Sequence, residues 1–275
     1  MGNLRVAGVD VGSVSTDAVI LNENKEILSS SVVYSGANSQ KAAAEAFRQA
    51  LAQAGLERSE IAYVISTGYG RKRVDFANES VTEISCHAMG THFLFPETRT
   101  LIDVGGQDSK VIHLDERGRV TSFAMNDKCA AGTGRFLEVM ARALEVELEQ
   151  MGDLFFQAEK ELSVSSMCTV FAESEVISLI SQGNSQADIV AGIHMSIARR
   201  VIGLLGKKGL VERLAFSGGV AKNRGALGAF EALLKTKIMV AEEPQIVGAL
   251  GAALIALETC EKQLAKTGTI ATSPA

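Results

Sequence analysis

Two stretches of the chain align with each other. GVDVGSVSTDAVIL covers residues 8–21 and LIDVGGQDSKVIHL covers residues 101–114. Asp10 falls on Asp103, Gly12 on Gly105, Ser13 on Gly106 and Thr16 on Ser109. Each copy has apolar residues before an Asp-Val-Gly core, then small polar residues, then an alternating apolar run. This pattern predicts a β-hairpin with a glycine-rich turn. Glycine at the turn lets a ligand approach the backbone closely. Hydroxyls and backbone N–H groups beside it form an anion-binding concavity, and an aspartate next to the turn suits hydrated magnesium. One Asp-x-Gly turn is commonplace, but two copies facing a shared cleft restrict the chain to a doubled α/β design.

The segments between fit that design. SQKAAAEAFRQALAQAG predicts a helix from a Ser39 N-cap to a stop at Gly55, and IAYVISTG predicts the strand after it. Residues 211–234, VERLAFSGGVAKNRGALGAFEALL, read as strand, Gly-Gly turn and helix, a second place for a nucleotide to meet backbone. KIMVAEEPQIVGALGAALIALE then predicts a short strand, a helix start at Pro244 and a helix of small residues suited to close packing. Its apolar run is too short to span a bilayer and reads as buried.

Composition excludes several classes. The 275 residues are 47% hydrophobic and 21% charged, enough apolar material for a sizeable core. A formal net charge of −5, with 5% aromatics and no Trp, gives neither a basic field nor stacking surfaces for nucleic acid. No secretory leader is read at the N-terminus, so the expected location is the cytoplasm, with no membrane partner. Four widely spaced cysteines suggest no disulfide framework.

With DVGSVST and DVGGQDSK as phosphate-type hairpins and FSGGVAKN as an adenosine-type turn, the chain resembles the actin/Hsp70/sugar-kinase superfamily. The resemblance implies an α/β protein of two related ribonuclease-H-like domains with an ATP cleft between them. The expected division is 1–95 and 96–266, with a C-terminal helix at 245–265 packing back on the first part. The remainder, 267–275, is expected to be a disordered tail.

That superfamily does not require the cysteines of NDKCAAGTGRF and SSMCTVFAESEV. Apolar residues Leu137, Met140, Ala141, Leu144 and Leu148 follow Cys129 at helical spacing, and Ala172, Val176, Leu179 and Ile180 follow Cys168. Both thiols are therefore expected at or just before helix N-termini, which favour thiolate. The residues leave three readings open: small core side chains, a redox switch, or metal ligation. Two thiols without a CxxC pair make a poor zinc site. Shared between two chains, they become four and suit a [4Fe–4S] cluster.

In this setting the two cysteine motifs resemble the activators of 2-hydroxyacyl-CoA dehydratases and the ATPase subunits of benzoyl-CoA reductase. The resemblance implies an ATPase that couples hydrolysis to delivery of a low-potential electron. It implies an oxygen-sensitive homodimer with one bridging [4Fe–4S] cluster on Cys129 and Cys168 of each chain. The implied partners are a dehydratase or related reductase, with a ferredoxin or flavodoxin as electron donor. The expected roles are as follows. Asp10 and Asp103 hold Mg2+ through water, and Gln107 orients the attacking water. Gly12, Ser13, Ser15 and Thr16 line one side of the ATP or ADP phosphates, and Gly105, Gly106 and Ser109 the other. Gly132, Thr133 and Gly134 link the cleft to the cluster helix. Gly218, Gly219, Lys222, Asn223 and Gln245 lie near the adenosine. The competing reading is a small-molecule kinase of amino-sugar type on the same fold, without a cluster. Cys86, His87 and His92 read as part of a helix rather than a metal site, Cys260 as packing or a surface thiol, and His194 as a satisfied helix residue.

Overall fold

The computed structural model describes residues 4–165, 168–211, 213–267 and 269–270. The chain forms two compact units. The first holds the described residues up to Thr98, Leu114–Thr121 and those from Gln245 onward. The second holds Arg99–His113 and Ser122–Pro244.

The first unit carries β1 (Arg5–Val11), β2 (Ser15–Asn22), β3 (Ile27–Tyr34), α1 (Ser39–Ala54), β4 (Tyr63–Thr67), β5 (Glu79–Ser80) and α2 (Glu83–Leu94). The second follows with β6 (Thr100–Val104), β7 (Ser109–Leu114), β8 (Val120–Asn126), α3 (Gly134–Ala143), α4 (Met151–Leu154), α5 (Thr169–Ser181), α6 (Gln186–Ile202), β9 (Leu214–Ser217), α7 (Arg224–Leu234) and β10 (Met239–Val240), the end of β7 and the start of β8 falling with the first unit. Helix α8 (Val247–Thr267) returns to the first unit.

The sheet orders are β3-β2-β1-β4-β5 and β10-β9-β6-β7-β8. Read from β8, the second repeats the first. The hairpins match in register too, pairing Asp10 with Asp17 and Val11 with Thr16 in one, Asp103 with Lys110 and Val104 with Ser109 in the other. In both sheets the first hairpin strand also pairs in parallel with a later strand, β1 with β4 and β6 with β9.

Alternation along β1 and β2 feeds the two faces of the first sheet. Ala7, Val9, Val11, Ala18 and Ile20 pack with α1 residues Ala43, Ala46, Phe47 and Ala50. Val6, Val19 and Leu21 pack with Ala249, Ala252, Ala253 and Ala256 of α8. Gly8 is needed at that contact, because a Cβ there would lie 2.0 Å from Ala249 O. The second unit has one large core, in which β6 and β7 residues Ile102, Val104 and Val111 meet α3, α6 and α7. Phe216 and Phe230 meet edge to face there at 5.0 Å. Each such fully buried apolar side chain contributes ~1.5–3 kcal/mol.

Two helix starts differ from the expectation. The N-cap of α1 is Asn38, whose side chain accepts from Lys41 N at 3.0 Å, so Ser39 is the first helical residue. Helix α8 begins at Val247 rather than Pro244, because the Pro244 carbonyl instead accepts Gly218 N–H at 3.0 Å. The residues Gln186–Lys208 are long and apolar enough to cross a membrane by length and composition. Ile189, Val190, Ile193, Ile197 and Val201 of that stretch are nonetheless buried in the second unit's core. Ser166 and Met167 of the second cysteine motif, and Gly268 and residues 271–275 of the expected tail, lie outside the described residues.

Candidate active site and thiol pair

The first hairpin turn, Gly12 to Ser15, is pinned by a residue from the next strand end. Ser35 N–H donates to Val14 O at 2.8 Å and Ser35 Oγ to Gly12 O at 2.8 Å. Thr16 Oγ1 lies 2.8 Å from Ser35 Oγ and is wholly buried, while Ser13 is exposed at the turn. Gln245 Nε2 reaches Ser15 Oγ at 3.4 Å, so these two expected ligand residues are neighbours. Beneath the turn, the Asp10 carboxylate is closely enclosed. A Cβ on Gly68 would lie 2.3 Å from its Oδ1, and one on Gly248 would lie 2.0 Å from its Oδ2. His87 Nε2 of α2 faces Oδ2 at 3.6 Å, beyond hydrogen-bonding range.

The second turn holds itself closed by Gly105 N–H donating to Asp108 O at 3.0 Å. Gln107 is exposed at the tip. Ser109 is fully buried. Below the turn, Asp103 accepts Ser217 Oγ on Oδ1 at 2.8 Å and Lys110 Nζ on Oδ2 at 3.1 Å. The adenosine-type turn starts at Gly218, whose φ of +86° and 2.4 Å Cβ distance to Val104 O exclude a side chain. Gly219 to Lys222 form a short 3-10 turn, and Lys222 Nζ pairs with Glu243 Oε2 at 2.9 Å. Asn223 caps α7, accepting Gly225 N–H at 2.9 Å and Ala226 N–H at 3.0 Å. His194 is buried between Val190 O and Asn223 Oδ1, and loss of solvent lowers its pKa.

The loop carrying Cys129 is joined to the second hairpin by hydrogen bonds. Asn126 Nδ2 donates to Cys129 O at 2.8 Å and to Ala131 O at 3.2 Å, and Cys129 N–H returns to Asn126 Oδ1 at 3.3 Å. Thr133 N–H and Oγ1 both donate to Ala130 O, at 3.0 and 2.6 Å. Gly132 makes this bend at φ +91° against Arg200. Then Gly134 N–H donates to Gly105 O at 2.9 Å and Arg135 N–H to Gly106 O at 2.8 Å. The first free N–H groups of α3 therefore point at the second turn, not at Cys129, which lies five residues before the helix. This corrects the expected placement of that thiol. Cys168 does sit at a helix start, as the N-cap of α5.

Cys129 and Cys168 are free and partly accessible, whereas Cys86 and Cys260 are buried. Burial pushes Cys86 up to about 12 and Cys260 up to about 11, so both stay as neutral thiols. Among the described residues no group of three or more His, Cys, Asp or Glu side chains is placed to hold a metal ion. The outer face of α5 beside Cys168 is apolar, with Val170, Phe171, Ile177 and Ile180 exposed. An open depression of about 620 Å³ lies beside the Cys129 loop and is lined by Lys128, Arg199 and Arg200 against one carboxylate, Asp127.

A twice-built sheet, opened each time by an Asp-Val-Gly hairpin, defines the actin/Hsp70/sugar-kinase fold. A ROK hexokinase from Thermus thermophilus superposes with a TM-score of 0.52 at 18% identity, covering 94% of this chain and 100% of its own, which shows the fold alone. The chain belongs to the BadF/BadG/BcrA/BcrD ATPase family, whose model matches residues 7–256. It is 50% identical to the activator of lactoyl-CoA dehydratase of Anaerotignum propionicum, over 93% of this chain and 98% of that protein. The activator of 2-hydroxyisocaproyl-CoA dehydratase from Clostridium difficile, solved with bound ADPNP, is 43% identical with a TM-score of 0.92, covering 98% of this chain and 100% of its own.

Sequence reasoning missed Ser35, Ser217, Asn126 and the enclosure of Asp10 by His87, Gly68 and Gly248. It also passed over Lys110 and Asp17, whose place opposite Asp103 and Asp10 required the register.

Proposed function

We propose that this chain is an ATP-driven electron-transfer activator that works as a homodimer and serves a partner of the 2-hydroxyacyl-CoA dehydratase type. Each copy contributes Cys129 and Cys168 to one shared [4Fe–4S] cluster. The observation that carries the reading is the hydrogen-bonded path from the Gly105 and Gly106 carbonyls through Gly134 and Arg135 to the Asn126-clamped Cys129 loop. A change at the phosphate-binding turn displaces the start of α3, and with it the backbone that aims a thiol. Nothing in a simple kinase calls for such a path to a cysteine.

The residues fit the cluster. Two accessible thiols per chain, with no third ligand group among the described residues, become four in a symmetric pair. The exposed apolar face of α5 beside Cys168 suits burial against a second copy. When bound, a [4Fe–4S] cluster supplies a one-electron carrier of low potential. Cys168, as the N-cap of α5, stands at the end of that helix where the dipole suits a bound anionic group. Lys128, Arg199 and Arg200 add positive charge beside the Cys129 loop and suit an acidic partner surface or donor such as a ferredoxin or flavodoxin.

On the nucleotide side, Gly12, Ser13, Ser15 and the second-turn glycines present backbone and hydroxyl groups to phosphate. Asp10 holds Mg2+ through water, Gln107 orients the attacking water, and Gly218 to Asn223 with Gln245 serve the adenosine. Differential nucleotide binding of ~1.4 kcal/mol corresponds to ~59 mV for a one-electron couple, so a few kcal/mol suffice to matter.

The test is iron and acid-labile sulfide per chain on protein purified without oxygen, beside Cys129→Ala. About two irons per chain in the wild type, lost in the variant, are expected. Protein that binds ATP but holds no iron under these conditions would sink the activator reading.

A further inference from the structure

The repeat places unlike residues at matched positions. Asp10 and Asp103 occupy the same register, but Asp10 is opposite Asp17 and Asp103 is opposite Lys110. Two positions before Asp17 and Lys110 stand Ser15 and Asp108. In the first hairpin Ser15 Oγ donates to Asp17 Oδ2 at 3.2 Å. In the second, Lys110 Nζ lies 2.8 Å from Asp108 Oδ2 and 3.1 Å from Asp103 Oδ2. The same architectural pair is a hydroxyl on a carboxylate in one hairpin and an ammonium between two carboxylates in the other.

The burial makes this difference consequential. Lys110 is 3% exposed and Asp103 2%. An ammonium so enclosed is held beside two carboxylates, Asp103 and Asp108. Asp103 in turn has a donor on each oxygen, Ser217 on Oδ1 and Lys110 on Oδ2. Each of these oxygens keeps a further acceptor site, but a dication approaching Oδ2 is repelled by the ammonium held 3.1 Å from it. The Asp10 hairpin offers the opposite setting, with two aspartates and His87 Nε2 at 3.6 Å.

We propose that Lys110 makes the two hairpins chemically unequal: it ties Asp103 down as an anchor of the second turn, and Mg2+ is held from the Asp10 hairpin alone. Lys110 is thus a positioning residue, acting through Asp103 and Asp108 on the turn whose Gly105 and Gly106 carbonyls meet α3. This rests on the ATPase reading of the hairpins and departs from the expectation that both aspartates share the ion.

Mn2+ is the probe, followed by its paramagnetic resonance spectrum in complex with ADP and the full-length protein. Asp10→Asn is expected to weaken Mn2+ binding in the ADP complex by about tenfold or more, and Asp103→Asn by less than about threefold. Asp103→Asn leaves Lys110 paired with Asp108, so folding is retained. Lys110→Met releases Asp103 and is expected to tighten Mn2+ binding. Where that single variant does not fold, Asp103→Asn with Lys110→Met removes both charges and is expected to bind Mn2+ as the wild type does. A loss of about tenfold in Asp103→Asn, equal to that in Asp10→Asn, overturns the proposal. Wild-type protein that retains no Mn2+ with ADP overturns the ATPase reading itself, and this proposal with it.

Discussion

Replacing Gly248 with Ala sets two physical effects against each other. Gly248 sits in the first turn of α8, where helix propensity alone makes Ala better by ~1 kcal/mol. The added Cβ, however, would lie 2.0 Å from Asp10 Oδ2 and 2.9 Å from His87 Nε2. An ordinary contact starts near 3.4 Å, so the Asp10 carboxylate must retreat by roughly 1.4 Å or α8 must lift. Overpacking of this kind costs ~1–3 kcal/mol, which at least cancels the propensity gain and leaves a net loss of up to ~2 kcal/mol. For a chain of this size that lowers the melting temperature by up to roughly 8 °C. A misplacement of about 1 Å at a group that positions the reacting centre costs ~100-fold in rate. The assays are ATP hydrolysis and thermal unfolding, with Gly203→Ala as control, since a Cβ on Gly203 would meet nothing within 4 Å and its φ of −56° is helical. A Gly248→Ala protein that melts at or above the wild type and hydrolyses ATP within about threefold of it would refute the reasoning.

Other expected outcomes follow from the same geometry. Asn126→Ala removes the donor from the Cys129 and Ala131 carbonyls and is expected to cost ~1–2 kcal/mol and to speed iron loss to a chelator; an unchanged rate of iron release would detach Asn126 from the thiol loop. Phe171→Asp on the outer face of α5 is expected to shift the protein from dimer to monomer on size-exclusion chromatography, while an intact dimer would move the interface elsewhere. Gln107→Ala is expected to lower ATP hydrolysis by ~10–100-fold with nucleotide affinity retained, and normal turnover would remove the water-orienting role. His194 and His113 have lowered pKa values because both lose solvent, so each resists protonation in the folded chain more than in the unfolded one. Their contribution is complete above the unfolded value near 6.5 and is lost as pH falls below it, by at most ~1.4 kcal/mol per pH unit each. Urea unfolding at pH 7.5 and 5.5 measures this, and the slope shrinks in His194→Gln; the lowered carboxylates such as Asp188 act only at more acid pH.

The sequence disclosed the doubled architecture because the hairpins obey a local rule. Asp-Val-Gly and the alternation after it specify strand, turn and strand without tertiary help, and their registers agree residue for residue. The thiols were visible for the opposite reason: nothing in the fold requires them. What stayed hidden depends on contacts distant in sequence. Asn126 looks like any strand-end polar residue until its amide is seen spanning Cys129 and Ala131. Gly248 reads as part of an Ala-Gly packing helix, yet its missing side chain leaves room for Asp10, far away in the chain. The Cys129 loop was misjudged because apolar periodicity runs smoothly through Leu137 to Leu144, whereas the bend at Gly132 decides where α3 begins.

That bend is the reason for locating the coupling in the second hairpin rather than the first. Helix α3 meets the turn through two backbone hydrogen bonds, so its position follows the Gly105 and Gly106 carbonyls independently of any side chain. A Cβ on Gly134 would come within 3.2 Å of Gly105 O, tighter than ordinary contact, so the approach depends on glycine there. Thr133 and Asn126 then convert the position of α3 into the position of the Cys129 backbone. Lys110 fits this division of labour. Its ion pairs to Asp103 and Asp108 hold the base of the turn, and on the function proposed above this leaves the outer side of the turn to answer to phosphate. Loosening that base is therefore expected to uncouple nucleotide state from the thiol loop before it abolishes nucleotide binding. Hydrogen exchange at residues 126–135 reads this directly: Lys110→Arg should blunt the difference between ADP-bound and ATP-analogue-bound protein, and a full wild-type difference would move the coupling to another path.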